Sequence, residues 1–494
     1  MQTPAALSTV RATLGFVAVL GTAGIFGRFH DPSGIVQSAK ADIAINAHNK
    51  FFDPSLGTNG QACVSCHRPS EGFTISVETI KDAFHDTRGH DPLFRLNDTA
   101  DRPDADVSTA AARAVAYRTT LNLGVTRIGK TLPAGADFIV EPQDTAQFGP
   151  LPNPNDPQAP PGAHTLSLFR RPLVPTNVHF DSAVLWDGRA SITDMPGQVK
   201  KAARTLLLSG GPTAGPLGAV SDTDAAEVAA FMLGVFTDQV KDNAAGPLNA
   251  NGATSGVWNL LALGSDPNAP CTPLAPPATC TPIIPGNPNT ITLFQSWANL
   301  PPGSLHNAIN RARASIARGE EIFNYVPLRV PVNMEIPQGT GSVAFCATCH
   351  ATDNIGNNPS TDFFVRLGID SPDNVRALAA QQPRLDETLE RLQMLPVYCL
   401  RPTSDPTPFS TAPCGTDAGD VTTTDPGRAL VTGHIADVGS FKPPILRGLA
   451  TRSPFFHNGA ARNIEALIDF YDTLFRIGLT HQEREDLAVF LKSL

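Results

Sequence analysis

Two short stretches constrain this chain more than anything else in it: "ACVSCHRP" around Cys63 and "FCATCHAT" around Cys346. Each holds two cysteines three positions apart with a histidine directly after the second, namely Cys63, Cys66 and His67, then Cys346, Cys349 and His350. This is the spacing of covalent c-type haem attachment. One helical turn between the thiols matches the separation of the two vinyl carbons they bond, and the adjacent histidine reaches the iron. Two other chemistries use Cys-x-x-Cys. Zinc wants further ligand pairs nearby, and none is evident. A thioredoxin-type site wants a βαβ context, which is also missing. The fold must therefore enclose two haems, and two haem-binding units are expected.

The first residues read as an export signal. Arg11 precedes the uncharged run "ATLGFVAVLGTAGIFG", which ends before Arg28. The run is shorter than the ~20 apolar residues that span a membrane. "SAKA", before Asp42, offers a small-x-small cleavage site, so residues 1–41 are expected to be a signal peptide, with an uncleaved anchor as the alternative. Export places the mature chain in the periplasm, where disulfides form. The four remaining cysteines lie in Pro/Thr-rich loops. Local pairs Cys271–Cys280 and Cys399–Cys414 are the simple expectation, and a crossed pairing is the alternative. The chain carries 37 Lys+Arg against 46 Asp+Glu, a net charge of -9, with no long basic run. That balance excludes a nucleic-acid binder.

The motifs lie about 280 residues apart. Each follows a helical pattern ending near a phenylalanine, "ADIAINAHNKFF" and "ARASIARGEEIFN", a weak echo of a duplicated unit. Residues 42–240 are expected to form an N-terminal haem domain and 301–494 a C-terminal one, separated by a Pro/Gly-rich insertion over 241–300. Residues 142–163 read as an exposed loop. Val228, Phe231, Met232, Val235 and Phe236 recur at helical spacing behind Ser221 and Asp224, a capping pair. Ile464, Leu467, Ile468, Tyr471 and Leu474 form one helical face, and Thr480 with Glu483 a capping box before the next. Strand signals are few. The expected class is mostly α: two cytochrome c-like haem domains with long loop insertions.

Three stretches, "FFDPSLGTNGQACVSCHRPSEGFT", "VLWDGRASITDMPGQV" and "FKPPILRGLATRSPFFHNGAARNIEALIDFY", together resemble the bacterial di-haem cytochrome c peroxidase family, which includes a quinone-maturing di-haem subgroup. The resemblance implies that peroxide reacts at the N-terminal haem and that the C-terminal haem takes electrons from a small donor, a cytochrome c or a copper protein. It makes Trp186 the relay between them, where the residues alone allow an ordinary core tryptophan. It places the sixth ligand of the C-terminal iron at Tyr471, fourteen residues after His457. A phenolate there would lower the haem potential. Tyr471 packing on its helix face and Met394 as ligand are the alternatives. Gln198 matches the family's distal glutamine. The proton-shuttling glutamate expected ten residues later is missing, since the next acid is Asp222. His85 and His90 lie where some members keep a displaceable ligand, or else are solvent-facing loop residues. Many members bridge the domains with calcium, but Arg171 falls near the place of its asparagine ligand. Arg447 and Arg452 are candidates for haem propionates or for the surface. Family members are often homodimers.

The leading expectation is thus a periplasmic di-haem c-type oxidoreductase that reduces hydrogen peroxide to water. The missing glutamate and Tyr471 support an alternative, oxidation or oxygenation of a larger substrate through high-valent haem. A non-enzymatic electron-transfer cytochrome is the third reading.

Overall fold

The protein is described from a computed structural model covering residues 24–40, 49–144, 148, 165–181, 183–207, 220–265, 291–331, 343–350, 355–356, 364–404, 414 and 419–494. Cys271 and Cys280 lie outside the described residues, as does most of the loop expected over 142–163. No described helix is long and apolar enough to cross a membrane.

The expectation of a mostly α chain is overturned. The structure is mixed α/β: 42% of the described residues are helical and 17% are in strands, which form several sheets. Several of the strands pair over long distances in sequence, so local periodicity does not announce them. Phe138–Asp144 and Val421–Thr423 flank Val397–Pro402 in one antiparallel sheet. Thr126–Thr131 pairs with Thr165–Arg170. The two sheets share a core of Phe138, Leu166, Leu168, Tyr398 and Leu400. Tyr398 ties them by donating to Ser167 O at 2.8 Å. The expected disulfide Cys399–Cys414 lies on this sheet.

Another sheet has the antiparallel order Gly24–His30, Gly34–Lys40, Val235–Asp242, Gly246–Pro247. Its first two strands use chain assigned above to the export leader. Ends of the 241–300 insertion also join a core: Ala245, Leu248, Ile291, Phe294 and Trp297 pack with the C-terminal helices.

The helices that position the motifs begin as the sequence indicates. Ser221 accepts from Asp224 N to start Asp222–Gly234. Thr480 and Glu483 form a full capping box for His481–Lys492, a device whose loss costs about 1 kcal/mol. That last helix crosses Ala308–Tyr325 at Gly319, where a Cβ would lie 2.1 Å from Asp486 O. The crossing therefore needs glycine. It lets Phe490 become fully buried against Phe323 and Phe294, a burial that contributes roughly 2–3 kcal/mol. Phe323 in turn lies against His350.

Candidate haem centres

Both cysteine motifs are single tight turns. Cys63–Ser65 is a 3-10 turn and Cys346–Cys349 a turn of α-helix. Each is closed by a histidine N–H donating back to the first cysteine carbonyl, His67 to Cys63 at 2.9 Å and His350 to Cys346 at 3.2 Å. Each is capped by a hydroxyl that accepts from the N-cap backbone, Ser65 from Ala62 at 3.1 Å and Thr348 from Phe345 at 2.8 Å. The turn brings the second cysteine and the histidine back beside the first, and Cys346 and Cys349 line one cavity together with His350.

The two imidazoles are oriented alike. His67 Nδ1 lies 3.1 Å from Phe73 O, and His350 Nδ1 lies 3.2 Å from Ile355 O. A carbonyl only accepts, so Nδ1 carries the proton and Nε2 keeps a free lone pair, as an iron ligand requires. Phe73 and Ile355 both have left-handed backbone, with φ 61° and 53°. Side-chain-bearing residues adopt this conformation at a cost, and here it turns each carbonyl toward its ring. Burial pushes both histidines down, His350 to about 4, so they are neutral. Burial also pushes the thiols up, Cys63 to about 11 and Cys66, Cys346 and Cys349 to about 12. A redox Cys-x-x-Cys has a depressed thiol instead. None of the four cysteines is in a disulfide.

The C-terminal motif opens on an apolar cavity of about 1680 Å³, its open mouth included. Cys346, Cys349, His350, Tyr471, Trp186 and Arg452 are among its walls. Tyr471 comes from the helix Ile464–Phe475. Burial beside Cys349 and Cys346 pushes its phenol well above the ordinary range. Met394 is not in this wall but packs in a neighbouring cluster. Arg452 donates to Ile445 O, while its buried Nε and Nη2 have no partner among the described residues. Arg447 instead pairs with buried Asp238 at 3.1 Å. An apolar cavity at the two thiols, a free Nε2 and an orphaned guanidinium edge fit a haem carrying carboxylates. Among the described residues, the metal-type cluster of His, Cys, Asp and Glu is Cys399, Cys414 and Asp420, and its two cysteines are joined in the disulfide.

Around the N-terminal motif, Phe51, Phe73, Val184, Met195, Val199 and Phe231 form the core against which Cys63 packs. Gln198 is half-buried on the helix Met195–Leu206 of that core. Lys200 on the same helix pairs with Asp222. His85 does not join this group: its side chain is 89% exposed and lies 3.3 Å from Asp86. His90 is exposed as well.

Trp186 stands where the two halves meet. Its neighbours Val184 and Leu185 belong to the N-terminal core, while Trp186 itself lines the C-terminal cavity. The indole N–H donates to Arg171 O at 2.8 Å, and Trp186 O accepts from Lys442 N at 2.8 Å. The next residue, Asp187, is fully buried and bonds Arg170 and Arg189, each at 2.6 Å. Burial opposes its charge, but those two guanidinium groups hold its carboxyl far below the usual range. Arg170 also bonds Asp425, at 2.6 and 2.8 Å. Lys442 pairs with Asp181 in an equally buried bridge at 2.8 Å. Removing one partner of such a pair costs about 3–5 kcal/mol, so Trp186 is set in a stiff frame. The sequence gives no sign of these partners beyond Asp187 and Arg189 themselves, because Asp425 lies over two hundred residues away.

Arg171 fills its own position with charge. Its guanidinium donates to Gly124 O at 2.6 Å and Ile75 O at 3.0 Å, and its backbone N donates to His457 O at 2.6 Å. A divalent cation at this place would face a fixed positive charge.

No family model matches the chain. Over short stretches it is similar to curated peroxidases. It is 33% identical over 81 residues to a cytochrome-c peroxidase of Pseudomonas sp. (strain SCT), covering 14% of this chain and 21% of that one. It is 32% identical over 81 residues to a cytochrome-c peroxidase of Denitromonas iodatirespirans, covering 14% and 22%. It is 38% identical over 72 residues to the cytochrome c551 peroxidase of Nitrosomonas europaea, covering 14% and 21%. The matched stretches span about a fifth of these relatives' length. Among solved structures, a MauG-like protein associated with microbial copper homeostasis aligns with a TM-score of 0.33 at 13% identity, over 90% of this chain and 87% of that one. The local likeness of the sequence thus falls on the cytochrome c peroxidases, the family its motifs resemble.

Proposed function

We propose that this chain is a periplasmic di-haem c-type oxidoreductase that reduces hydrogen peroxide to water, fed with electrons by a small donor protein such as a cytochrome c or a copper protein. Two covalently held haems would supply redox-active iron able to take electrons singly and to cleave the O–O bond. The observation that carries this reading is the place of Trp186, which lines the cavity of one motif while its neighbours Val184 and Leu185 pack in the core of the other. In this reading Cys63 and Cys66 hold one haem and Cys346 and Cys349 the other. His67 and His350 supply Nε2 to the irons. Trp186 relays electrons, and its hydrogen bond to Arg171 O fixes the indole plane. Arg452 meets a haem carboxylate. Gln198 is the polar group offered to peroxide on the N-terminal side.

Trp186→Phe tests the relay, because it keeps an aromatic ring but loses the oxidisable indole and its N–H. Peroxide turnover with a reduced donor should fall about 100-fold, about 2.7 kcal/mol in barrier, with both haems still attached. Unchanged turnover would remove Trp186 from the path.

The reading in which a larger substrate is oxidised rests on Tyr471 in the cavity wall and on the helix after Gln198, which offers Lys200 and Lys201 but no acid before Asp222. A peroxide titration separates the two. Rapid donor oxidation by the half-reduced protein supports peroxide reduction. A long-lived oxidised state formed from the diferric protein supports the other.

A further inference from the structure

The strand Gly34–Lys40 is an inner strand, paired on one side with Gly24–His30 and on the other with Val235–Asp242. Its register with the latter runs from Gly34↔Asp242 to Lys40↔Val235. Val36 and Ala39 are 1% and 0% exposed, and Ala39 packs with Phe180, Phe236 and Leu260. Ser38 and Thr237 share a buried hydroxyl hydrogen bond of 2.8 Å. The turn between the strands, Asp31-Pro32-Ser33-Gly34, is built by Asp31 Oδ1, which accepts from Ser33 N at 2.7 Å and Gly34 N at 2.9 Å. The other Asp31 oxygen accepts from Gln239 Nε2 at 2.8 Å. A Cβ at Gly34 would lie 1.8 Å from Lys241 O, so this turn needs glycine where the strands approach.

The hairpin also touches the surroundings of both cysteine motifs. Its first strand runs against Pro69–Glu71, just after His67. Val36 packs beside Gly448, between Arg447 and Arg452. A mature chain beginning at Asp42 would lose both strands. Val235–Asp242 would then present an unpaired backbone edge, with Thr237, Asp238 and Gln239, each 0% exposed in the fold, laid open beside it.

The sequence offers an earlier place to cut. Arg11 is followed by the apolar run Ala12–Gly21, and Gly21-Thr22-Ala23 then supplies two small residues around one arbitrary position. That is the order of a leader's charged, apolar and cleavage segments. Arg28, His30, Asp31 and Lys40, which separate Ala23 from Ala41, belong to the hairpin. We propose that processing occurs between Ala23 and Gly24. Water hydrolyses that peptide bond in a signal peptidase, leaving a carboxylate on Ala23 and a free amine on Gly24 at the start of the first strand.

This rests on the export reading, and N-terminal sequencing of the haem-loaded protein from the periplasmic fraction separates the two. A start at Gly24 is expected. A start at Asp42, or at any other residue beyond the apolar run, overturns the site and leaves export standing. A start at Met1 or Gln2 overturns export as well. Two variants check the same point. Ala23→Phe should accumulate the uncleaved precursor, and Ala41→Phe should be processed like the parent. The reverse pattern refutes the proposal.

Discussion

Around His67, Phe51 lies 6.3 Å from the ring and Phe73 supplies the carbonyl at Nδ1; around His350, Phe323 lies at 6.3 Å and Ile355 supplies the carbonyl. The two cradles share the capped turn, the tautomer and the left-handed acceptor residue. Beyond the cradles the halves part. The C-terminal motif opens on an apolar cavity with Tyr471 and Trp186 in its wall, whereas the N-terminal motif is packed by a helix bearing Gln198, Lys200 and Lys201. Covalent attachment and histidine ligation admit little variation, because thiols and imidazole must all reach one group. What lies across from the histidine is free to differ, and in our reading that freedom assigns the two halves separate tasks.

The harshest way to break the comparison is to remove one attachment at a time. Cys63→Ala with Cys66→Ala, and Cys346→Ala with Cys349→Ala, should each leave one covalent haem per chain by mass and by haem absorbance. Peroxide turnover should fall to background in both. Retention of two haems by either variant would end the two-centre reading. A narrower cut is Tyr471→Phe. It should change the ferric EPR signal of the C-terminal haem alone and raise its potential, because a phenolate stabilises the ferric state. Met394→Leu should change neither, since Met394 packs outside the cavity wall. An unchanged signal in Tyr471→Phe would leave Tyr471 as a packing residue.

Much of this was readable because it is local. The cysteine turns, the caps at Ser221 and Thr480, the helix carrying Tyr471 and the disulfide Cys399–Cys414 all depend on residues within a few turns or one loop of each other. Of the phenylalanine echo, Phe51 and Phe323 face His67 and His350; the second expected helix is Ala308–Tyr325, while the first lies mostly outside the described residues and its end, 49–52, is turn. The strands escaped for the opposite reason. Val397–Pro402 finds its partner Phe138–Asp144 across more than two hundred residues, and no window of sequence contains both. The hairpin of residues 24–40 carried its own signal, an Asp-Pro-Ser-Gly turn between two seven-residue strands. It was obscured by the neighbouring apolar run, which read as one continuous leader. Asp187 and Arg189 stood in plain view beside Trp186, but that Arg170 and Asp425 complete their network is a tertiary fact.

A pH experiment sharpens the contrast on the C-terminal side. Glu320 is 3% exposed and accepts from Phe294 N at 3.0 and 3.1 Å, tying the helix Ala308–Tyr325 to the insertion. Burial pushes its carboxyl from 4.5 up to about 7. The folded state therefore keeps a proton that the unfolded chain releases. The contribution is full below about pH 4.5 and is lost as pH rises to about 7, on the order of 3 kcal/mol. Glu320→Gln should flatten that part of the stability profile measured by denaturant, and an equally steep profile would place the titration elsewhere.

The smallest effect concerns the two phenylalanines themselves. Phe51→Leu and Phe323→Leu each remove a ring from beside a motif histidine while keeping an apolar side chain. Loss of packing volume alone should cost each about 1–2 kcal/mol in denaturant unfolding. The costs should not be equal. Phe51 also meets Phe52, Phe73 and Phe231 at 5.1, 6.0 and 4.8 Å, whereas Phe323 meets Phe490 at 5.4 Å. Each such ring pair adds about 0.5–1.5 kcal/mol, so the N-terminal variant should be the less stable. The displacement of each haem's absorption band should nevertheless match, because the contact with the histidine is the same in both halves. Matching stabilities with unlike spectra would mean that the repeated phenylalanine serves packing alone, and that the likeness of the cradles resides in the turn and the carbonyl.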